Sequence, residues 1–158
     1  MELEHRFEVP VGIDKAWMHL LDMKLVAACF PGATLSSADG SEYTGTVKVK
    51  LGPIQLTYAG SARIVSADEA THTATIEASG NAARSGSTAS MTVVAAAESV
   101  ASDRTAVTMK TDLTITGRPA QFGRGVMVEV GDKILGRFAD CLASTLAASE
   151  APGEVATA

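Results

Sequence analysis

The chain has 158 residues and a formal net charge of −5, which suits one compact domain and makes nucleic acid a poor electrostatic partner. No apolar stretch approaches the roughly 18 residues of a membrane-spanning helix, and the first residues lack the features of a secretory signal. We therefore expect a cytoplasmic protein. In that setting the two isolated cysteines, Cys29 and Cys141, are expected to be reduced thiols in the core.

The start of the chain predicts one strand and two short helices. Residues 2–9 alternate between apolar and polar side chains, which indicates a half-buried strand. Asp14 is a candidate cap for the helix that follows, with Trp17 and Met18 among its buried residues. A second helical turn is expected from Lys24 to Phe30, because a proline and a glycine follow it.

From Ala33 to Thr116 the apolar period is two residues, which predicts six strands. The last two cover about residues 87–99 and 104–116. Short connections favour an antiparallel meander. The apolar phase is rich in small side chains, so a helix lying over it would leave a cavity unless it approached very closely. These small residues are Gly45, Gly60, Ala62, Ala74, Ala78, Ala89, Ala95 and Ala97.

Apolar residues recur every four positions from Phe122 to Leu146, which predicts one long amphipathic helix. Such a helix must cover its apolar face, and the curved sheet is the only surface large enough. The predicted fold is therefore α+β: a seven-stranded antiparallel sheet wrapped around a long C-terminal helix, with two short helices after the first strand. This is the helix-grip arrangement. We assign residues 1–149 to this domain and expect residues 150–158 to form a disordered tail.

The predicted order of elements resembles the START-like, or SRPBCC, superfamily, whose domains enclose an apolar cavity between sheet and helix. Three segments resemble the carbon monoxide dehydrogenase CoxG family more closely, and the resemblance covers about residues 1–149. They are Cys-Phe-Pro-Gly-Ala at 29–33, Gly-Thr-Val-Lys-Val-Lys-Leu-Gly-Pro-Ile at 45–54 and Thr-Gly-Arg-Pro-Ala-Gln-Phe-Gly-Arg-Gly at 116–125.

This resemblance implies a partner, an aerobic molybdenum CO dehydrogenase complex, and a peripheral position at the cytoplasmic face of the membrane. Together with the predicted cavity it favours a non-enzymatic carrier of a respiratory quinone, menaquinone or ubiquinone, or of another apolar lipid. No covalent cofactor is expected. Two alternatives stay open: an adaptor that anchors or matures the dehydrogenase without binding a ligand, and a helix-grip hydrolase or cyclase.

The candidate cavity residues combine a few hydroxyls with adaptable apolar side chains. For each hydroxyl the alternative is a bond to backbone or water. If Gly123, Gly131 and Gly136 let the helix approach the sheet, the alternative to a cavity is a tight interface. The candidate cavity residues are Tyr43, Tyr58, Met91, Met109, Thr111, Phe122, Val126, Met127 and Val130.

The start of the long helix is a candidate gate and partner contact. Gly123 and Gly125 weaken helix formation there, and Arg124 between them can meet an anion near a helix N-terminus. We expect this gate to be mobile without ligand, with Phe122 pointing at the end of the cavity.

Catalytic residues are not predicted. His5, His19 and His72 are scattered without a carboxylate or cysteine partner at a useful spacing, and no cysteines or histidines have metal-ligand spacing. His5 is expected to be an ordinary core or sheet-edge residue. Glu77 and Asp112 fall on the polar phase of their strands. We therefore expect no enzymatic activity and no metal.

Overall fold

The computed structural model shows a seven-stranded antiparallel sheet that curves around a long C-terminal helix, which confirms the predicted fold class. It describes residues 2–40, 42–51, 53–84 and 86–150. The predicted tail begins at residue 150, which is still helical, and residues 151–158 lie outside the described residues.

The sheet follows the predicted meander, in the order β1-β7-β6-β5-β4-β3-β2. Its first strand therefore pairs with its last, and every neighbouring pair is antiparallel. The strands are β1 (Glu2–Val9), β2 (Ala33–Asp39), β3 (Glu42–Leu51), β4 (Ile54–Asp68), β5 (Thr73–Ala82), β6 (Ser87–Ala101) and β7 (Arg104–Ile115). The helices are α1 (Ile13–Leu20), α2 (Met23–Cys29) and α3 (Gly123–Glu150), and a short 3-10 helix (Arg118–Phe122) precedes α3.

The two short helices differ in detail from their prediction. Gly12, not Asp14, occupies the N-cap of α1. Trp17 is buried, but Met18 is 63% exposed, because successive helical residues point about 100° apart and both cannot face the core. The second helix begins one residue early, since the Asp22 side chain accepts bonds from the amides of Lys24 and Leu25.

The main buried core lies where the C-terminal half of α3 meets β1, α1 and α2. Leu142 and Leu146 of α3 are almost fully buried there. The ring of Phe138 packs edge-on against Phe7 of β1, with ring centroids 6.2 Å apart. This first core cluster holds one end of α3 firmly against the edge of the sheet. Its buried residues are Val9, Val11, Ala16, Cys29, Phe138, Leu142 and Leu146.

Cys29 and Cys141 form a disulfide, so the prediction of reduced thiols is wrong for this structure. Their Cα atoms lie 5.3 Å apart, and the bond joins the end of α2 to α3 inside the first core cluster. The two residues are separated by 112 positions. Only the packing of α2 against α3 brings them together, so no local cysteine motif announces the pair.

Candidate ligand cavity

The inward face of β3–β7 is only partly covered by α3. Val47, Met91 and Thr111 point toward the helix side of the sheet and are nevertheless half-buried rather than buried. At the other end of α3, Leu142 and Leu146 are almost fully buried. The space between α3 and the inward face of β3–β7, here called the cavity, is therefore open to solvent.

Glycines in α3 do little to bring it close to the sheet. Added side chains at Gly123 and Gly136 would meet no atom within 4 Å, whereas one at Gly131 would lie 3.2 Å from the Leu3 side chain of β1. Close approach is thus confined to the edge strand. The tight interface considered from the sequence is not formed across the centre of the sheet.

The concave shape of the sheet depends on glycines at its bend. Gly45, Gly60 and Gly80 lie opposite one another in register on β3, β4 and β5. A side chain on Gly60 would overlap the Ser79 carbonyl, and one on Gly45 would overlap the Thr34 carbonyl. Glycine is therefore required where the strands fold toward each other.

Four of the nine predicted cavity residues pack into one group, the second core cluster. Met127 is buried in it together with Leu56 and Ala82. This cluster lies between the first turns of α3 and strands β3, β4 and β7. The predicted residues that share it are Tyr58, Phe122, Met127 and Val130.

The other five predicted residues are more dispersed. Met109 packs against the first core cluster instead. Met91 and Thr111 lie on the inward phase of β6 and β7, and Val126 is half-buried on α3. Tyr43 lines a surface recess of about 470 Å³, between the corner joining α1 to α2 and the turn joining β2 to β3. Their contact with a ligand stays a prediction.

The hydroxyl of Tyr58 already has a protein partner. It lies 2.8 Å from Oγ of Ser87, which itself donates to the carbonyl of Thr116 at 2.7 Å. A serine hydroxyl has one proton, so Tyr58 donates to Ser87 and keeps only acceptor capacity. A guest can therefore donate a hydrogen bond to Tyr58 but not accept one from it in this arrangement.

The candidate gate is anchored on one side and exposed on the other. Phe122 packs in the second core cluster, whereas Gly123, Arg124 and Gly125 are exposed. Gly117 and Gly123, on either side of the 3-10 helix, both have positive φ angles of 83° and 81°. A side chain at either position would be strained, so the turn into α3 depends on these two glycines.

His5 has a carboxylate partner that the sequence analysis did not find. Its Nε2 lies 2.7 Å from Oδ1 of Asp132 on α3. The His5 side chain is 16% exposed and that of Asp132 is 62% exposed. The expectation that His5 has no such partner is therefore wrong. The two residues are 127 positions apart, so no spacing motif could have revealed the pair.

The other acidic candidates remain outside the cavity. Glu77 and Asp112 are exposed on the outer face of the sheet, as their strand phase predicts, and Glu77 lies 3.5 Å from Arg63. Within residues 2–40, 42–51, 53–84 and 86–150, no group of three or more His, Cys, Asp or Glu side chains is placed to hold a metal. None of the helices in those ranges is both long and apolar enough to span a membrane.

Solved structures with the same fold carry several different names. A conserved protein from Geobacillus kaustophilus aligns with a TM-score of 0.84 at 13% identity, over 94% of this chain and 97% of its own. The Zhui aromatase/cyclase from Streptomyces sp. R1128 aligns at 0.70 and 14%, over 97% of both chains. Norcoclaurine synthase from Thalictrum flavum aligns at 0.67 and 14%, over 96% of both.

These identities are low enough that the likeness establishes the fold alone. No curated protein matches the sequence. A family profile does match it, over residues 6–147, and describes the carbon monoxide dehydrogenase protein CoxG. Since this match spans the sheet and nearly all of α3, the chain belongs to the CoxG family.

Proposed function

We propose that the chain is a carrier that binds an apolar guest in the cavity. The observation that supports this most directly is the accessible inward face of the sheet beneath α3. In the described part of β3–β7, that face carries no charged side chain. Burial of apolar groups at about 0.8 kcal/mol per CH₂ can hold a long tail without a charged anchor.

We propose a respiratory quinone, menaquinone or ubiquinone, as that guest. A quinone joins a long apolar tail to a small ring with two oxygens, which suits apolar walls with few polar groups. Met91 and Met127 add side chains that adapt to irregular shapes. The family name supports a CO dehydrogenase as partner, and CO oxidation releases electrons that an acceptor must take.

In this proposal the carrier works at the cytoplasmic face of the membrane, where it exchanges quinone with the lipid. Phe122 closes the end of the cavity, and the gate at Gly123–Gly125 opens it. Arg124 is exposed beside that gate and is positioned to meet a lipid phosphate or an acidic surface of the dehydrogenase.

Reconstitution tests this role. Purified dehydrogenase, CO and vesicles containing quinone are mixed, and quinone reduction is followed optically with and without the carrier. We expect the carrier to raise the rate several-fold. Phe122→Ala should weaken quinone retention, and Arg124→Ala should weaken vesicle or dehydrogenase binding. Arg137→Ala removes another exposed arginine of α3 and serves as the control. An unchanged rate with the wild-type carrier would contradict the proposal.

A second candidate function is catalysis, and the observation that favours it is the His5–Asp132 pair. An imidazole backed by a carboxylate is a common general base, and two structures with this fold are a cyclase and a synthase by name. Against it stands the uncharged inward face of the described β3–β7 residues, which offers no acid or charged group to act with the base. We therefore favour the carrier.

A further inference from the structure

We propose that Nδ1 of His5 accepts a hydrogen bond from a hydroxyl of the guest, so that the cavity holds a hydroquinone more tightly than the corresponding quinone. This inference rests on the proposed carrier function and adds a redox preference to it. It follows from the position of the ring, its unused nitrogen and the tautomer that Asp132 imposes.

The ring of His5 lies between β1 and α3. Met109 faces His5 across the β1–β7 ladder, and Thr111 faces Leu3 one inward position away. One ring nitrogen, Nε2, reaches Asp132 on α3. The ring therefore sits beside two of the predicted cavity residues, on the face of the sheet that α3 covers.

The other ring nitrogen is buried and unused. In the described part of the chain, Nδ1 of His5 is the one buried side-chain nitrogen or oxygen without a hydrogen-bond partner. Leaving such an atom unpaired costs about 1–3 kcal/mol. Since Nε2 faces the exposed Asp132, Nδ1 on the opposite side of the ring faces the covered interior, where a guest can supply the missing partner.

Asp132 decides which kind of partner fits. An ionised carboxylate only accepts hydrogen bonds, so Nε2 must carry the proton and donate it. In the neutral ring Nδ1 is then an acceptor. A hydroxyl of a hydroquinone can donate to it, whereas the carbonyl of a quinone has no proton to offer. The carrier would thus release quinone readily and retain the reduced product.

The test compares two redox forms of one guest. Decylubiquinone and decylubiquinol are titrated anaerobically into the full chain at about pH 8.5, where a histidine ring is ordinarily neutral. One additional neutral hydrogen bond predicts roughly five- to tenfold tighter binding of the hydroquinone. His5→Leu should weaken the hydroquinone alone and make the two affinities equal.

Asp132→Asn tests the positioning role of the carboxylate. Its amide can donate to Nε2 and move the ring proton to Nδ1, so the preference for hydroquinone should fall or reverse. Nitrogen NMR of the His5 ring should report that change of tautomer, which a merely structural role would not produce. Asp140→Asn makes the same charge change at another exposed position of α3 and should leave both readouts unaltered.

The outcomes separate the inference from the proposed function. Equal affinity of the wild-type chain for the two forms would overturn the inference and leave the carrier intact, as would an unchanged preference in His5→Leu. Failure of both forms to bind would overturn the carrier and the inference together. If His5→Leu does not fold, loss of the preference in Asp132→Asn with the altered NMR signal supports the inference, and an unaltered preference overturns it.

Discussion

Ala89→Phe is expected to lower quinone affinity by about tenfold or more while leaving the domain folded, because a ring that displaces two or three CH₂ groups of the guest removes about 0.8 kcal/mol for each. Ala89 is half-buried on the inward face of β6, opposite Gly80 and Ile115. The added ring therefore enters the cavity instead of a filled core. Binding titration and thermal denaturation measure the two effects.

Two variants on the same strand serve as controls. Ser90→Phe adds the same bulk on the outer face and should change neither binding nor fold. Ala95 is only 6% exposed, so Ala95→Phe should overpack the interior at a cost of about 1–3 kcal/mol. If Ala89→Phe shows that same loss of stability and no loss of binding, the interior is filled and the adaptor alternative is favoured.

Breaking the Cys29–Cys141 disulfide should lower the free energy of unfolding by about 2–5 kcal/mol. The bond spans 112 positions, and cross-links that close long loops restrict the unfolded chain most. Urea denaturation of the oxidised protein with and without reductant measures the loss. Cys29→Ser should cause a similar loss.

The control is the double variant Cys29→Ser/Cys141→Ser, whose stability should not respond to reductant. Equal unfolding curves for oxidised and fully reduced wild-type protein would contradict this expectation. Because disulfides are rare in the cytoplasm, trapping the thiols in intact cells would also show which form the working carrier has.

Most of the fold could be predicted because local periodicity specifies it. Alternation along residues 2–9 and from Ala33 onward gives the seven strands, and the four-residue repeat from Phe122 to Leu146 gives α3. Short connections then leave few ways to order the strands. Errors were confined to helix ends and faces, such as Met18, where a single turn carries too little pattern to fix the phase.

The candidate site was less predictable because it depends on how α3 lies across the sheet. His5 and Asp132 meet because α3 packs over β1, and Cys29 meets Cys141 because α2 packs against α3. Neither contact leaves a periodic or spacing signal. Tyr58 was found from its strand phase, but its bond to Ser87 depends on the pairing of strands distant in sequence.

The most direct test of the carrier is native mass spectrometry of the purified protein, combined with lipid extraction. We predict a species heavier than the bare chain by the mass of one quinone, and the same quinone in the extract. Ala89→Phe should lack that species, whereas Ser90→Phe should retain it. A wild-type protein that carries no lipid after gentle purification, and takes up none from quinone-containing vesicles, would contradict the carrier.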